Sequence, residues 1–178
     1  MTSNTTPNWV LMWLDTGHIV RGDCGKITAT RGIDLDGQFV WFVRHPEKRH
    51  GYHSQEDDPF RAIKQAEAAW AARRAVRKNW PEVKALAQDL IWGRARLDVR
   101  IEDAYASPLC ALGIKWFLRH LGLGGSQRVS GRLAALLMQF EPQLGFVIYE
   151  AQARTNAHAL RPTKARGKAL PLGLPQRS

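Results

Sequence analysis

Side chains able to do chemistry are spread thinly along this chain of 178 residues, so each grouping has to meet the demands of the chemistry it would perform. Cys24, His45, His50 and His53 are the residue types that hold zinc. Their spacing, C-x20-H-x4-H-x2-H, matches no compact zinc module, and the histidines fall in a charged stretch. They read as a solvated loop, and no metal site is expected. Gly25-Lys26 lacks the upstream glycine of a phosphate-binding loop, which gives nucleotide hydrolysis no support. Gly122-Leu123-Gly124-Gly125-Ser126 follows a helical stretch instead of opening one after a strand, so it reads as a helix end and loop. Arg21-Gly22-Asp23 is a tripeptide common by chance. No paired carboxylates and no Ser/His/Asp order define a catalytic site; catalytic residues and cofactors are expected to be none.

The cations remain. Lys and Arg number 26 against 16 Asp and Glu, a formal charge of +10. Residues 151–178 hold Arg154, Arg161, Lys164, Arg166, Lys168 and Arg177 with no acid, +6 of the total, which leaves +4 for residues 1–150. A basic body with a basic tail favours a polyanionic partner, DNA or RNA first and an acidic protein second. The expected phosphate contacts are Arg73, Arg74, Arg77 and Lys78, then Arg94, Arg96 and Arg100, then the tail. Met1–Asn8 is polar without a charged leader, and the apolar run Trp9–Leu14 is too short for a bilayer. No membrane partner and a cytoplasmic location are expected. Two cysteines are too few for a disulfide scaffold.

Stepping along the chain, Trp9–Leu14 reads as a buried strand closed by an Asp15-Thr16-Gly17 turn, with His18–Arg21 pairing back. Lys26–Arg31 alternates as a strand, Asp34–Gly37 is a turn, and Gln38–Arg44 is a strand apolar on both faces. Arg49–His53 adds a short edge strand. Asp57 or Asp58 caps a helix with Pro59 at its first position, running to about Lys78. Phe60, Ile63, Ala66 and Trp70 form its inward stripe, which continues into Arg74 and Arg77. Pro81–Ile91 is a second helix ended by Gly93. Arg94–Ile101 alternates as a half-buried strand with arginines on its wet face. Ser107 and Pro108 open a helix that is apolar almost all round and stops at Gly122, which predicts Trp116 and Phe117 in the core. Ser130 caps a helix carrying Leu133, Leu136, Leu137 and Phe140. Pro142 starts the last helix, with Leu144, Val147, Ile148 and Ala151 on one face. From Thr155 the pattern is lost and a disordered tail is expected.

Three resemblances follow from these stretches. Leu14-Asp15-Thr16-Gly17 resembles the opening of an aspartic-protease motif, but His18 stands where that family has a small residue, and a strand turn is the reading. Residues 26–78, with the strand G-Q-F-V-W-F-V, the turn Gly51-Tyr52-His53 and the helix A-I-K-Q-A-E-A-A-W, resemble the sheet-plus-helix DNA-binding domains of AP2 and integrase-arm type. That resemblance implies a sheet that reads the DNA groove with a helix behind it. Asp103–Ala106 followed by Ala111–Leu121 resembles a helix-turn-helix, which implies the second helix as recognition helix.

The sequence therefore predicts an α+β protein: a flexible stretch 1–8, an antiparallel sheet with its helices over 9–91, a strand and helical unit over 94–154 around the helix 108–121, and a basic tail 155–178. The expected function is non-enzymatic nucleic-acid binding through phosphate contacts, in a regulatory or mobile-element setting. The rival is a protein-binding adaptor or a phage-type inhibitor of a host complex, using the same basic faces.

Overall fold

Alternating side chains build the first half. A computed structural model describes residues 13–23, 25–34 and 36–159. Strands β1 (Trp13–Arg21), β2 (Thr28–Asp34), β3 (Phe39–Arg44) and β4 (Tyr52–Ser54) form one antiparallel sheet in chain order. Ala29 pairs with Val43 and Val43 with Tyr52, so these three share a face. The period of two adds Ile27 and Trp41 to it. Helix α1 (Pro59–Arg77) covers that face with Ala62, Ile63, Ala66, Ala69 and Trp70. Each large apolar side chain buried there stabilises by about 1.5–3 kcal/mol. The start of α1 is set locally: Asp58 accepts from the Phe60 and Arg61 N–H groups, each at 3.2 Å, and Pro59 occupies the first turn.

The other half assembles around a second core. Helix α2 (Trp80–Ile91) leads to β5 (Asp98–Arg100), α3 (Ile101–Ala106), α4 (Ala111–His120), β6 (Arg128–Ser130), α5 (Gly131–Leu137) and α6 (Leu144–Ala159). Val83, Ala87, Leu90, Ala135, Val147 and Ile148 are among its buried residues. A bidentate ion pair ties its end to its middle: Arg154 Nε lies 2.7 Å and Nη2 3.0 Å from the Asp103 carboxylate. Asp103 also accepts from the Arg100 N–H at 2.8 Å, so the buried charge is fully engaged. The fold is α+β, a four-stranded antiparallel sheet followed by helices.

Several expectations are corrected. Residues 9–12 of the first expected strand lie outside the described residues, and Asp15-Thr16-Gly17 is no hairpin turn. β1 runs through it with a register shift between Asp15 and Ile19. Gly17, at φ 76°, donates its N–H to Asp15 Oδ1, and a glycine in that region serves a bulge as readily as a turn. The strand Arg94–Ile101 shrinks to Asp98–Arg100, because the Arg94 and Ala95 N–H groups are held by the Asp89 carbonyl at the end of α2. Ser107 closes α3 instead of opening the next helix, its hydroxyl donating to the Ala104 carbonyl at 2.6 Å.

Helix α4 is not buried all round. Leu112 and Ile114 are buried, while Trp116 and Phe117 are half-buried. The inner face of the sheet is already filled by α1, so α4 lies elsewhere. It runs from Cys110, whose Sγ is 3.7 Å from His53 Nδ1 on β4, to Arg119, paired at 3.0 Å with Asp36 in the β2–β3 turn. The Trp116 ring packs 3.8 Å from His120 one turn on. On helix α5 Gly131, Ala134 and Ala135 face in and Leu133 and Leu136 face out, with Phe140, just past its end, at 87% exposure. Phe60 of α1 is likewise exposed. Finally, Thr155–Ala159 continues α6 rather than opening the tail. Residues 160–178 lie outside the described residues.

Candidate nucleic-acid interface

The stripe of α1 decides which of its cations reach solvent. Buried positions run Ala62, Ala66, Ala69, Trp70, Arg73 and Val76. The helical repeat therefore carries the inward face onto Arg73 and Val76, not onto Arg74 and Arg77. Arg73 is 7% exposed and its Nε donates to the Pro108 carbonyl at 2.9 Å. Burial pushes its pKa down from the usual arginine value, opposed by neighbouring Cys110 and Tyr52. As a phosphate contact Arg73 is corrected: it is a tie between α1 and the segment before α4. Arg74, Arg77 and Lys78 are exposed, and none of the ion pairs among the described residues involves them. Arg74 and Arg77 also sit in the last turn, where the helix dipole favours a cation.

The loop between β3 and β4 brings further charge to the same place. His50 is half-buried and feels Arg49 beside it, Arg73 and Arg77 from α1, and Glu141 from the turn before α6. Burial pushes its pKa down most, the three arginines push it further, and Glu141 pulls it back. Arg77 also lines a cleft of about 320 Å³ together with Trp80 and Pro142. Trp80 is fixed there from behind, its ring 5.2 Å from Phe146 and above Gly145, where an added Cβ would lie 2.5 Å from its Cη2. Sequence reasoning weighed His50 only as a metal ligand and missed this cleft; the run Lys48-Arg49-His50 is the signal of charge that was there.

Arg94, Arg96 and Arg100 are also exposed but stand apart. The 12 residues of α2 separate them from the end of α1, about 18 Å of helix at 1.5 Å per residue. Arg94 is paired with Asp89 at 2.8 Å, and Arg100 and Arg128 share Asp98 at 3.5 and 3.6 Å. The two groups thus form separate patches, the second partly neutralised.

The outer face of the sheet exposes Ile19, Arg21 and Arg44 on β1 and β3, whereas Val40 on that face is buried. On α4, Lys115 is exposed and Arg119 is committed to Asp36. The three loop histidines have different surroundings: His45 lies edge-on to Trp70 at 6.1 Å, His53 stacks on Phe42 at 4.6 Å, and His50 sits among arginines. Cys24 lies outside the described residues, and among those described no group of His, Cys, Asp and Glu is gathered as a metal ion requires. No described helix is long and apolar enough to cross a membrane. The chain matches no protein-family model, no curated protein and no solved structure.

Proposed function

We propose that this is a non-enzymatic nucleic-acid-binding protein that holds phosphates through the basic surface at the end of α1, in a regulatory or mobile-element setting. The observation that carries this reading is the exposed run Arg74, Arg77 and Lys78 at the end of α1, which enters none of the ion pairs among the described residues. Dipole compensation alone needs one or two cations there. Neutralising phosphates with such side chains releases counterions, so binding weakens steeply with salt. The Arg94, Arg96 and Arg100 patch contributes less, because two of its three arginines already face carboxylates.

The test is a binding titration at several salt concentrations with DNA and with RNA of unrelated sequences. Replacing Arg74, Arg77 and Lys78 by Gln lowers affinity for all of them and reduces the salt slope by about 0.9 per lost duplex contact, or about 0.7 on single strands. Arg73→Met serves as the contrast: it lowers the melting temperature and leaves the slope unchanged. Absence of wild-type binding at low salt rejects the reading. In that case the adaptor or phage-type inhibitor reading takes its place, favoured by the outward Leu133 and Leu136 of α5 and the exposed Phe140 just past its end. Apolar side chains gathered on one exposed helix face mark protein contacts.

A further inference from the structure

The corner between α1 and α2 brings a guanidinium, an indole and a proline ring around one opening. Arg77 ends α1, Trp80 begins α2, and Lys78 and Asn79 connect them. Backbone bonds pin the corner: the Lys78 N–H donates to the Ala75 carbonyl at 3.2 Å and the Asn79 N–H to the Val76 carbonyl at 2.9 Å. Pro142 comes from the turn before α6, where its carbonyl accepts from the Gly145 N–H at 3.1 Å. Together Arg77, Trp80 and Pro142 line the cleft of about 320 Å³. That is the small end of the range for sites that take small flat ligands or parts of larger ones.

Trp80 is a fixed wall of this opening. It is half-buried, its ring lies 5.2 Å from Phe146, and a Cβ added at Gly145 would fall 2.5 Å from its Cη2. A ring already held in place loses little freedom when a second flat ring is laid on it. Arg77 is exposed and enters none of the ion pairs among the described residues. The two side chains together select the occupant. A cationic group, which an aromatic face attracts, is repelled by the guanidinium. A carboxylate or a bare phosphate satisfies Arg77 and leaves Trp80 unused. A nucleotide carries a flat base and a phosphate on one short tether, and uses both.

We propose that the cleft takes an unpaired base of a nucleic-acid strand, stacked on Trp80, with Arg77 on an adjoining phosphate. The inference rests on the nucleic-acid reading above and adds a substrate class to it, single-stranded DNA or RNA. A base inside a duplex has neighbours on both faces and must leave the stack to reach Trp80, at a cost that an unpaired base largely avoids. Every base has a π-face, so the site tolerates any sequence.

The experiment uses the full chain and two single-stranded DNA oligonucleotides of equal length, one with its bases and one made of abasic sites. Both carry the same phosphates, so the electrostatic part of binding is common to them. Wild type is expected to bind the base-bearing strand about 5- to 150-fold more tightly, the range for stacking one base. Trp80→Leu brings the base-bearing strand down to the abasic level without changing the salt slope, because no phosphate contact is lost. Trp92→Leu, which removes a 70% exposed indole at the other end of α2, keeps the gap. Arg77→Gln weakens the binding of both strands and lowers the slope by about 0.7. Equal binding of the two strands by wild type, or a gap that survives Trp80→Leu, overturns the inference and leaves the nucleic-acid reading standing. Wild type that binds neither strand nor duplex at low salt removes both. Should Trp80→Leu melt early, the indole Nε1–H of Trp80 in wild type is followed by NMR with each strand. A resonance that moves no further with bases than without them overturns the proposal.

Discussion

His53 connects the edge strand to the helix beyond it. Its Nδ1 lies 3.7 Å from Cys110 Sγ and its ring stacks on Phe42, so the side chain is packed on both sides. Burial holds its pKa at about 4, against an ordinary 6.5. The unfolded chain takes up a proton at this residue below pH 6.5 and the folded chain does not until about pH 4. Stability from this residue is therefore complete above pH 6.5 and falls as the solution is acidified, by about 3 kcal/mol once pH 4 is reached. Urea unfolding between these limits is expected to follow that slope, and His53→Gln to flatten it; equal slopes would mean that the ring is hydrated. The sequence placed His53 in a charged loop, because its burial depends on α4, nearly sixty residues later, packing against β4. Arg73 was misjudged for a related reason. Its helix repeat was legible, but a shift of one position along the stripe exchanges a buried tie for a surface charge.

Helix boundaries set by neighbouring residues were legible, and faces set by distance between helices were not. Asp58 and Pro59 announced α1, and the same chemistry in Ser130, whose hydroxyl accepts from the Leu133 N–H at 3.2 Å, announced α5. The face of α5 was another matter. A leucine stripe is more apolar, yet the alanine stripe lets α5 lie closer to α2, and close approach won. Gly131 records how close: an added Cβ would sit 2.8 Å from the Leu97 carbonyl oxygen and 2.9 Å from Leu90 Cδ2. Gly131→Ala is expected to cost about 1–3 kcal/mol, as overpacking of a rigid contact does. Phe140→Ser, on the outward face, changes stability by about 0.5 kcal/mol or less. Chemical denaturation of the two variants decides the matter, since the leucine-inward arrangement requires the opposite ranking. Helix α4 misled for the converse reason: an apolar circumference predicts full burial only where free core surface remains to receive it.

On the scale of the molecule, two cores are joined where α1 meets α2, and two groups of exposed cations lie apart, one at that joint and one at the β5 end. Composition gave the size of the charge but not this division, because positions along a sequence carry no distances until the helices are placed. The first core is a meander whose strands pair with their neighbours in the chain. The second depends on distant partners, Val99 with Val129 and Arg154 with Asp103 across 51 positions. Local pairings close sooner, so pulsed hydrogen exchange during refolding is expected to protect the amides of β2 and β3 before those of β5 and β6. Simultaneous protection would mean one cooperative nucleus. Order in time gives the Arg73 tie a further meaning. Its carbonyl partner, Pro108, lies 35 residues downstream. During synthesis the sheet and α1 leave the ribosome first, and for that interval Arg73 has no Pro108 to hold it. The emerging chain then exposes one more cation to water than the finished protein. Completion of the fold withdraws it.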